Sequence, residues 1–348
     1  MAGDDSSDPR LAVLTRWVRG DLGFADSEIA PASSDASFRR YFRVTSAPGP
    51  AAHEPFIVMD APPGKEDVAP FLRVARLLEE WGLHVPVVLA RNLAEGLLLM
   101  TDLGSTQYLP ELAANRDVER LYADALAALC TMQTTGAAAA ALPCYDRARL
   151  GQELALMPEW FLGPHLGVAV EGADRSLLEA LDECLVESAL AQPQVFVHRD
   201  YHSRNLMLCQ PRNPGILDFQ DAVFGPVTYD LVSLLKDCYI TWPPERVRGW
   251  ALRHRANLLD AGVAAGSEAQ FLRWFDLMGL QRHIKVLGIF ARLHYRDHKP
   301  QYLHDLPRVW DYVRETAALY RETAAFGALL TRLEPLFLAA QARALDST

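Results

Sequence analysis

Residues 196–205 read FVHRDYHSRN. The apolar run QVFV (194–197) ends in a cluster of ionisable groups, His198, Arg199 and Asp200, and Asn205 follows five places after the aspartate. Charged groups at the edge of a buried run cost free energy unless they are paired or put to use. Thirteen residues past Asn205 stands Asp218, in ILDFQD. The segments LMLC (206–209) and GILDF (215–219) lie between them and read as the two arms of a hairpin. A lone Asp after a strand is an ordinary cap or turn residue, and H-x-D alone is a weak signal. The full H-R-D-x-x-x-x-N with a strand-borne Asp-Phe behind it is far more specific. It supplies one proton acceptor and two oxygen donors, the parts that phosphoryl transfer requires. On this reading Asp200 orients the acceptor hydroxyl. Asn205 and Asp218 hold Mg²⁺, a hard cation that takes one or two carboxylates and keeps several waters.

The rest of the chain bounds this reading. Its 348 residues are half apolar, enough for a substantial core and for more than one domain or lobe. The net charge of −10 and the lack of a basic stripe argue against a nucleic-acid or anionic-membrane surface, although a nucleotide can still bind locally. Five scattered cysteines with no C-x-x-C pair disfavour a zinc site and suit free thiols in a reducing cytosol. MAGDDSSDPR is acidic and unlike a signal or transit peptide, and no run of about 18 apolar residues occurs. The expectation is a cytoplasmic protein with a small-molecule substrate, no nucleic acid, no membrane and no obligatory protein partner.

Along the chain, LAVLTRWVRG (11–20) reads as a short amphipathic helix. SFRRYFRV (37–44), FIVMD (56–60), VPVVLA and GLLLMTDL (96–103) read as strands, with one helix over 68–81 between them. Beyond about 105 the texture turns helical, with helix-like patterns at 117–133, 147–161, 173–191, 228–239, 244–260, 267–296, 307–324 and 327–344. QVFVH (194–198) and the two hairpin arms interrupt them. The fold class is therefore α+β, with a strand-rich part over 1–103 and a mostly helical part over 104–348.

This order, with the quoted loop inside the helical part, resembles the two-lobe protein-kinase-like fold. His202 stands where protein kinases carry Lys, and after DFQDA the chain runs straight into GPVTYDLVSLL without an activation segment or an APE. H-x-D-x-H-x-x-N therefore resembles the aminoglycoside phosphotransferase family of small-molecule kinases. SSDASFRRYFRV (33–44), IVMDAPP (57–63) and QRHIKVLGIFARL (281–293) are similar to a branch of that family that phosphorylates the amino sugars N-acetylmuramate and N-acetylglucosamine at the anomeric hydroxyl, in peptidoglycan recycling. The resemblance implies ATP and Mg²⁺ as cofactors, an amino-sugar substrate and a nucleotide site in the strand-rich part. Rival readings are another acceptor (an aminoglycoside, choline or homoserine), a pseudokinase binding module, and a protein kinase.

The resemblance also implies site residues. Asp200 faces the acceptor, His198 anchors the loop by backbone hydrogen bonds, and Asp230 caps a helix and braces the loop. The turn Ser33–Ser37 stands where a Gly-rich phosphate loop is usual, with Ser34, Ala36 and Ser37 offering main-chain and hydroxyl donors. Asp60 occupies the place of the lysine that ends the third strand, and a carboxylate there repels phosphate. Either Asp60 pairs with Arg73, or Arg40 or Arg43 supplies the missing charge. With Phe38, Phe42 and Val44 facing inward, strand alternation gives Arg40 the same side. Met100, Asp102 and Leu103, before Gly104, are the adenine-contacting stretch. For the sugar, Glu159, His202, Arg282 and His283 are candidates, with Lys285 beside them and Trp160 or Tyr201 as a stacking ring.

Overall fold

The computed structural model describes residues 8–34, 38–46, 54–135 and 139–346. In chain order the elements begin with α1 (Pro9–Arg16), β1 (Glu28–Ser34), β2 (Arg40–Thr45), β3 (Phe56–Asp60), α2 (Ala69–Glu80), β4 (Val88–Asn92) and β5 (Leu97–Thr101). Then come α3 (Tyr108–Ala113), α4 (Val118–Thr134), α5 (Arg147–Leu154), α6 (Gly172–Leu190), β6 (Gln194–Val197), β7 (Leu206–Met207), β8 (Gly215–Ile216) and β9 (Val223–Pro226). The remainder is α7 (Tyr229–Leu235), α8 (Pro244–Asp260), α9 (Glu268–Tyr295), α10 (Leu306–Ala317) and α11 (Ala324–Asp346). The chain forms two compact units, Met1–Thr106 with Met207–Asp221, and Gln107–Leu206 with Ala222–Thr348. The class is α+β, with an antiparallel sheet in the first unit and a helical second unit.

In the first unit five antiparallel strands run in the order β1-β2-β3-β5-β4. Residues of one parity (Phe42, Val44, Val58, Leu97 and Leu99) bury against Leu14, Trp17 and Val18 of the N-terminal helical segment. The other parity is buried too, at Met59, Leu98 and Met100, so the central strands are apolar on both faces. Asp8 caps α1 by accepting the N–H groups of Arg10 and Leu11 at 2.9 and 3.2 Å. The helix does not stop at Gly20 as the pattern suggested but widens its register into a π-helical turn over Trp17–Asp21. Phe38 is 62 % exposed, which corrects the expectation that it faces inward with Phe42 and Val44. LMLC and GILDF do form the expected hairpin, although only β7 and β8 within them pair.

The second unit is organised by α9. Its middle stretch, Leu277–Gly288, is buried on every side, the mark of a helix enclosed by neighbours. At Gly288 an added Cβ would stand 2.4 Å from the Leu156 carbonyl carbon and oxygen, so only glycine lets α9 come this close. The pattern read as one helix over 147–161 breaks after Leu154 and resumes as a π-helical segment, Met157–His165. β6 pairs antiparallel with β9, from Gln194 opposite Pro226 to Val197 opposite Val223. The helical segment 321–344 contains an 18-residue window apolar enough, by length and composition, to cross a membrane. Here its Phe337 stacks on Trp310 of α10 at 4.6 Å, and Arg332 pairs with Asp174 of α6 at 2.6 Å.

Candidate active site

The loop after β6 is held by two buried carboxylates. Asp230, in the first turn of α7 and fully buried, accepts the N–H of His198 at 2.6 Å and of Arg199 at 3.0 Å. The expected bracing of the loop is thus present. The expected capping is not, since Thr228 occupies the N-cap of α7 and no side chain caps it. Asp237, just past α7, accepts from both the N–H and the hydroxyl of Ser203, at 3.0 and 2.5 Å. Between these anchors the loop closes on itself. The Asp200 N–H donates to His198 Nδ1 at 3.3 Å, and the Asn205 amide nitrogen donates to the Asp200 carbonyl at 3.0 Å. The His202 N–H reaches the same carbonyl at 3.1 Å. Arg199 sits at φ +78°, a left-handed conformation that costs a non-glycine residue about 1–2 kcal/mol. Neighbouring structure must hold it there.

The charges around Asp200 favour its ionised form. Burial by itself raises the carboxyl, but Lys285, His202, Arg199 and Arg282 outweigh it, so the group lies below its ordinary range. Burial pushes the Asp230 carboxyl up to about 7, against the pull of the two N–H groups it accepts. Glu153 carries Arg199 and buried Lys285 together, at 2.5 and 2.9 Å. The two cations overcome burial and bring its carboxyl down to about 2.

Of the sugar-site candidates, His202 and Arg282 belong to the surroundings of Asp200. The His202 ring meets Tyr239 edge-on at 5.4 Å, and burial depresses its basicity. Arg282 is buried, with Nη1 3.4 Å from Cys238 Sγ. His283 is a packing residue. Its Nε2–H donates to the Lys236 carbonyl at 2.9 Å, its ring stacks on Tyr312 at 4.7 Å, and burial lowers its pKa to about 3. Glu159 is exposed on the π-helical segment and Trp160 is half-buried beside it. Tyr201 is fully buried and donates its hydroxyl to the Ala125 carbonyl at 2.8 Å, which removes it as a stacking platform.

In the first unit Asp60 is fully buried and takes two arginines. Arg40 reaches Oδ2 through Nη2 at 2.6 Å and Nε at 3.1 Å, and Arg10 binds Oδ1. The suggested Asp60–Arg73 pair is therefore replaced by one that starts 50 residues upstream, and Arg73 is exposed. Arg40 also binds Asp8, and its guanidinium lies over Phe42 on the face covered by α1. Arg43 grips Asp102 at 2.5 and 3.1 Å and the Gly104 carbonyl at 2.9 Å. Both arginines are thus committed to carboxylates. Met100 is buried in β5, and Leu103 packs with Met207 and Cys209. Ser34 ends β1 opposite Arg40, while Ala36 and Ser37 lie outside the described residues. Asp218, also left-handed at φ +63°, accepts from Gln220 Nε2 at 2.7 Å.

These donors suit a hard cation by chemistry. The Asn205 side chain carries an amide oxygen, the donor type that Mg²⁺ takes, and Asp218 is a carboxylate on strained backbone of the kind that clusters at functional sites. Among the described residues no three His, Cys, Asp or Glu side chains gather into a metal-holding set. Sequence reasoning missed Glu153, Asp237 and Arg10. Only Glu153 left a trace, as an acid on the apolar stripe of Leu150, Leu154 and Met157.

Comparison with known proteins extends the picture. Residues 28–272 match the phosphotransferase enzyme family. An N-acetylmuramate/N-acetylglucosamine kinase of Pseudomonas aeruginosa is 47 % identical over 330 residues, 94 % of each chain. One of Pseudomonas putida is 44 % identical, over 94 % of this chain and 97 % of the relative. An ADP-bound aminoglycoside phosphotransferase superposes with a TM-score of 0.56 at 14 % identity, over 88 % of this chain and 98 % of the other, a likeness of fold. A left-handed Arg199 and a clamped, ionised Asp200 on the H-R-D-x-x-x-x-N loop, a match spanning most of the chain, and relatives this similar over their full length lead to one assignment: the chain belongs to the phosphotransferase enzyme family.

Proposed function

We propose that this chain is a kinase that moves the γ-phosphoryl group of ATP to the anomeric hydroxyl of N-acetylmuramate and N-acetylglucosamine. The observation that carries the reading is the Asp200 carboxylate, kept ionised by Lys285, Arg199 and Arg282 on a loop clamped by Asp230 and Asp237. The names of the relatives supply the acceptor. Asp200 accepts a hydrogen bond from the anomeric hydroxyl and aims its oxygen at the γ-phosphorus. As the new P–O bond forms, the bond from γ-phosphorus to the β,γ-bridging oxygen breaks, ADP leaves, and the hydroxyl proton passes to Asp200. Mg²⁺, when bound, neutralises charge on the phosphates, and Asn205 and Asp218 are the residues that would hold it. His202 and Arg282 line the acceptor side. Met100, Asp102 and Leu103 serve the nucleotide through their main chain, since the Asp102 carboxylate is held by Arg43. An ATP-consuming enzyme of this kind works in the cytoplasm, where its five free thiols stay reduced.

Asp200→Asn tests this. Removing the base while keeping shape is expected to lower kcat about 10²–10⁴-fold with ATP affinity unchanged. Turnover within a few-fold of wild type would overturn the assignment.

A further inference from the structure

Arg199 is held at both ends. Its N–H is accepted by Asp230, and its guanidinium Nη2 donates to Glu153 Oε1 at 2.5 Å. Glu153 reaches into the loop from α5 and its carboxylate is saturated. Oε1 also accepts Lys285 Nζ at 2.9 Å, while Oε2 accepts the Tyr145 hydroxyl and Gln281 Nε2, the latter at 3.2 Å. Lys285, on α9, donates again to the Tyr229 hydroxyl at 3.0 Å, and Tyr229 is the chain neighbour of Asp230. The network is therefore closed: α5, α7 and α9 all converge on the one left-handed residue that precedes Asp200.

Stability alone does not account for such an arrangement. Well-packed apolar side chains of similar volume generally serve a core as well as a buried ion pair, or better. An ionic network has value where one conformation must be selected, and the residue it selects here adjoins the proposed base. We propose that Glu153 and Lys285 are positioning residues that lock the Arg199 backbone and so fix the direction in which Asp200 presents its carboxylate. This rests on the kinase reading above.

The test uses full-length Glu153→Gln and Lys285→Met with N-acetylglucosamine and Mg-ATP, below the unfolding midpoint of each variant. For Glu153→Gln, kcat is expected to fall about 10- to 100-fold, the cost of a misplaced reacting group, with ATP Kd unchanged. For Lys285→Met, kcat is expected to fall in the same way, about 10- to 100-fold with ATP Kd unchanged. Amide exchange at His198–Tyr201 should quicken in both variants while β6 stays protected. Undiminished kcat and unaltered exchange at 198–201 would show that the pair only supports the core. Wild-type enzyme that phosphorylates neither sugar would refute the kinase reading instead, and the exchange result would still decide the loop lock. If Glu153→Gln proves insoluble, Lys285→Met carries the same readouts.

Discussion

Replacing Asp230 by alanine removes both acceptors that hold the start of the catalytic loop. In the folded protein Asp230 is fully buried and takes the N–H of His198 at 2.6 Å and of Arg199 at 3.0 Å. Without it two buried donors lose their partners, at about 1–3 kcal/mol each, or roughly 2–6 kcal/mol together. Arg199 also loses the main-chain contact that offsets about 1–2 kcal/mol of left-handed strain, so the loop relaxes and Asp200 moves with it. At about 2–4 °C per kcal/mol, a loss near the middle of that range lowers the unfolding midpoint by roughly 10 °C. Asp230→Asn keeps one oxygen acceptor but turns an NH₂ toward the other N–H, so it should fall between wild type and alanine. Thermal unfolding followed by tryptophan fluorescence, with hydrogen exchange at His198 and Arg199, measures this. An alanine variant that unfolds at the wild-type midpoint and keeps both amides protected would refute the reasoning.

Other sites give sharper single outcomes. Gly288→Ala forces a methyl to within 2.4 Å of the Leu156 backbone, and the expected cost is at or above the overpacking range of about 1–3 kcal/mol, read as a lower urea midpoint. Burial holds His254, hydrogen-bonded to Gln133 at 2.8 Å, at a pKa of about 3. The unfolded chain therefore takes up a proton near pH 6.5 that the folded chain refuses, and His254 contributes less stability as pH falls. His254→Gln is expected to gain about 2 kcal/mol relative to wild type between pH 7.5 and pH 5, measured by urea unfolding at both; a pH-independent gap would contradict this. Arg40→Ala should lower stability by about 1–3 kcal/mol through the loss of its bonds to Asp60 and Asp8. The KM for ATP should stay within about threefold; a tenfold rise at unchanged stability would make Arg40 a phosphate ligand instead.

The parts of the fold visible in the sequence are those with a local cause. Alternation marked β2, and short apolar runs marked β3 and β5, whose residues are buried on both faces of the sheet. Helical spacing placed α6, α8 and α9 within a residue or two of their ends. β1 escaped notice because EIAPASS carries Pro31 and few apolar residues, and its strand character comes from pairing with β2. The helix over 147–161 was overextended, since nothing local marks where the register shifts to the π form at Met157. The catalytic loop was legible through its spacing, whereas its supports were not. Asp60 chose Arg10, 50 residues away, and Arg199 chose Glu153, 46 residues away; partners this distant are set by packing and leave no periodicity behind. For the same reason His283 and Tyr201 read as functional polar residues, although burial had already committed each to a backbone carbonyl.

Phosphorus NMR of the product tests the central claim most directly. With N-acetylglucosamine or N-acetylmuramate and Mg-ATP, a sugar 1-phosphate signal coupled to the anomeric proton is expected, in step with ADP, and in Asp200→Asn it should form about 10²–10⁴-fold more slowly. ADP accompanied only by inorganic phosphate, or a phosphate at another hydroxyl, would contradict the account.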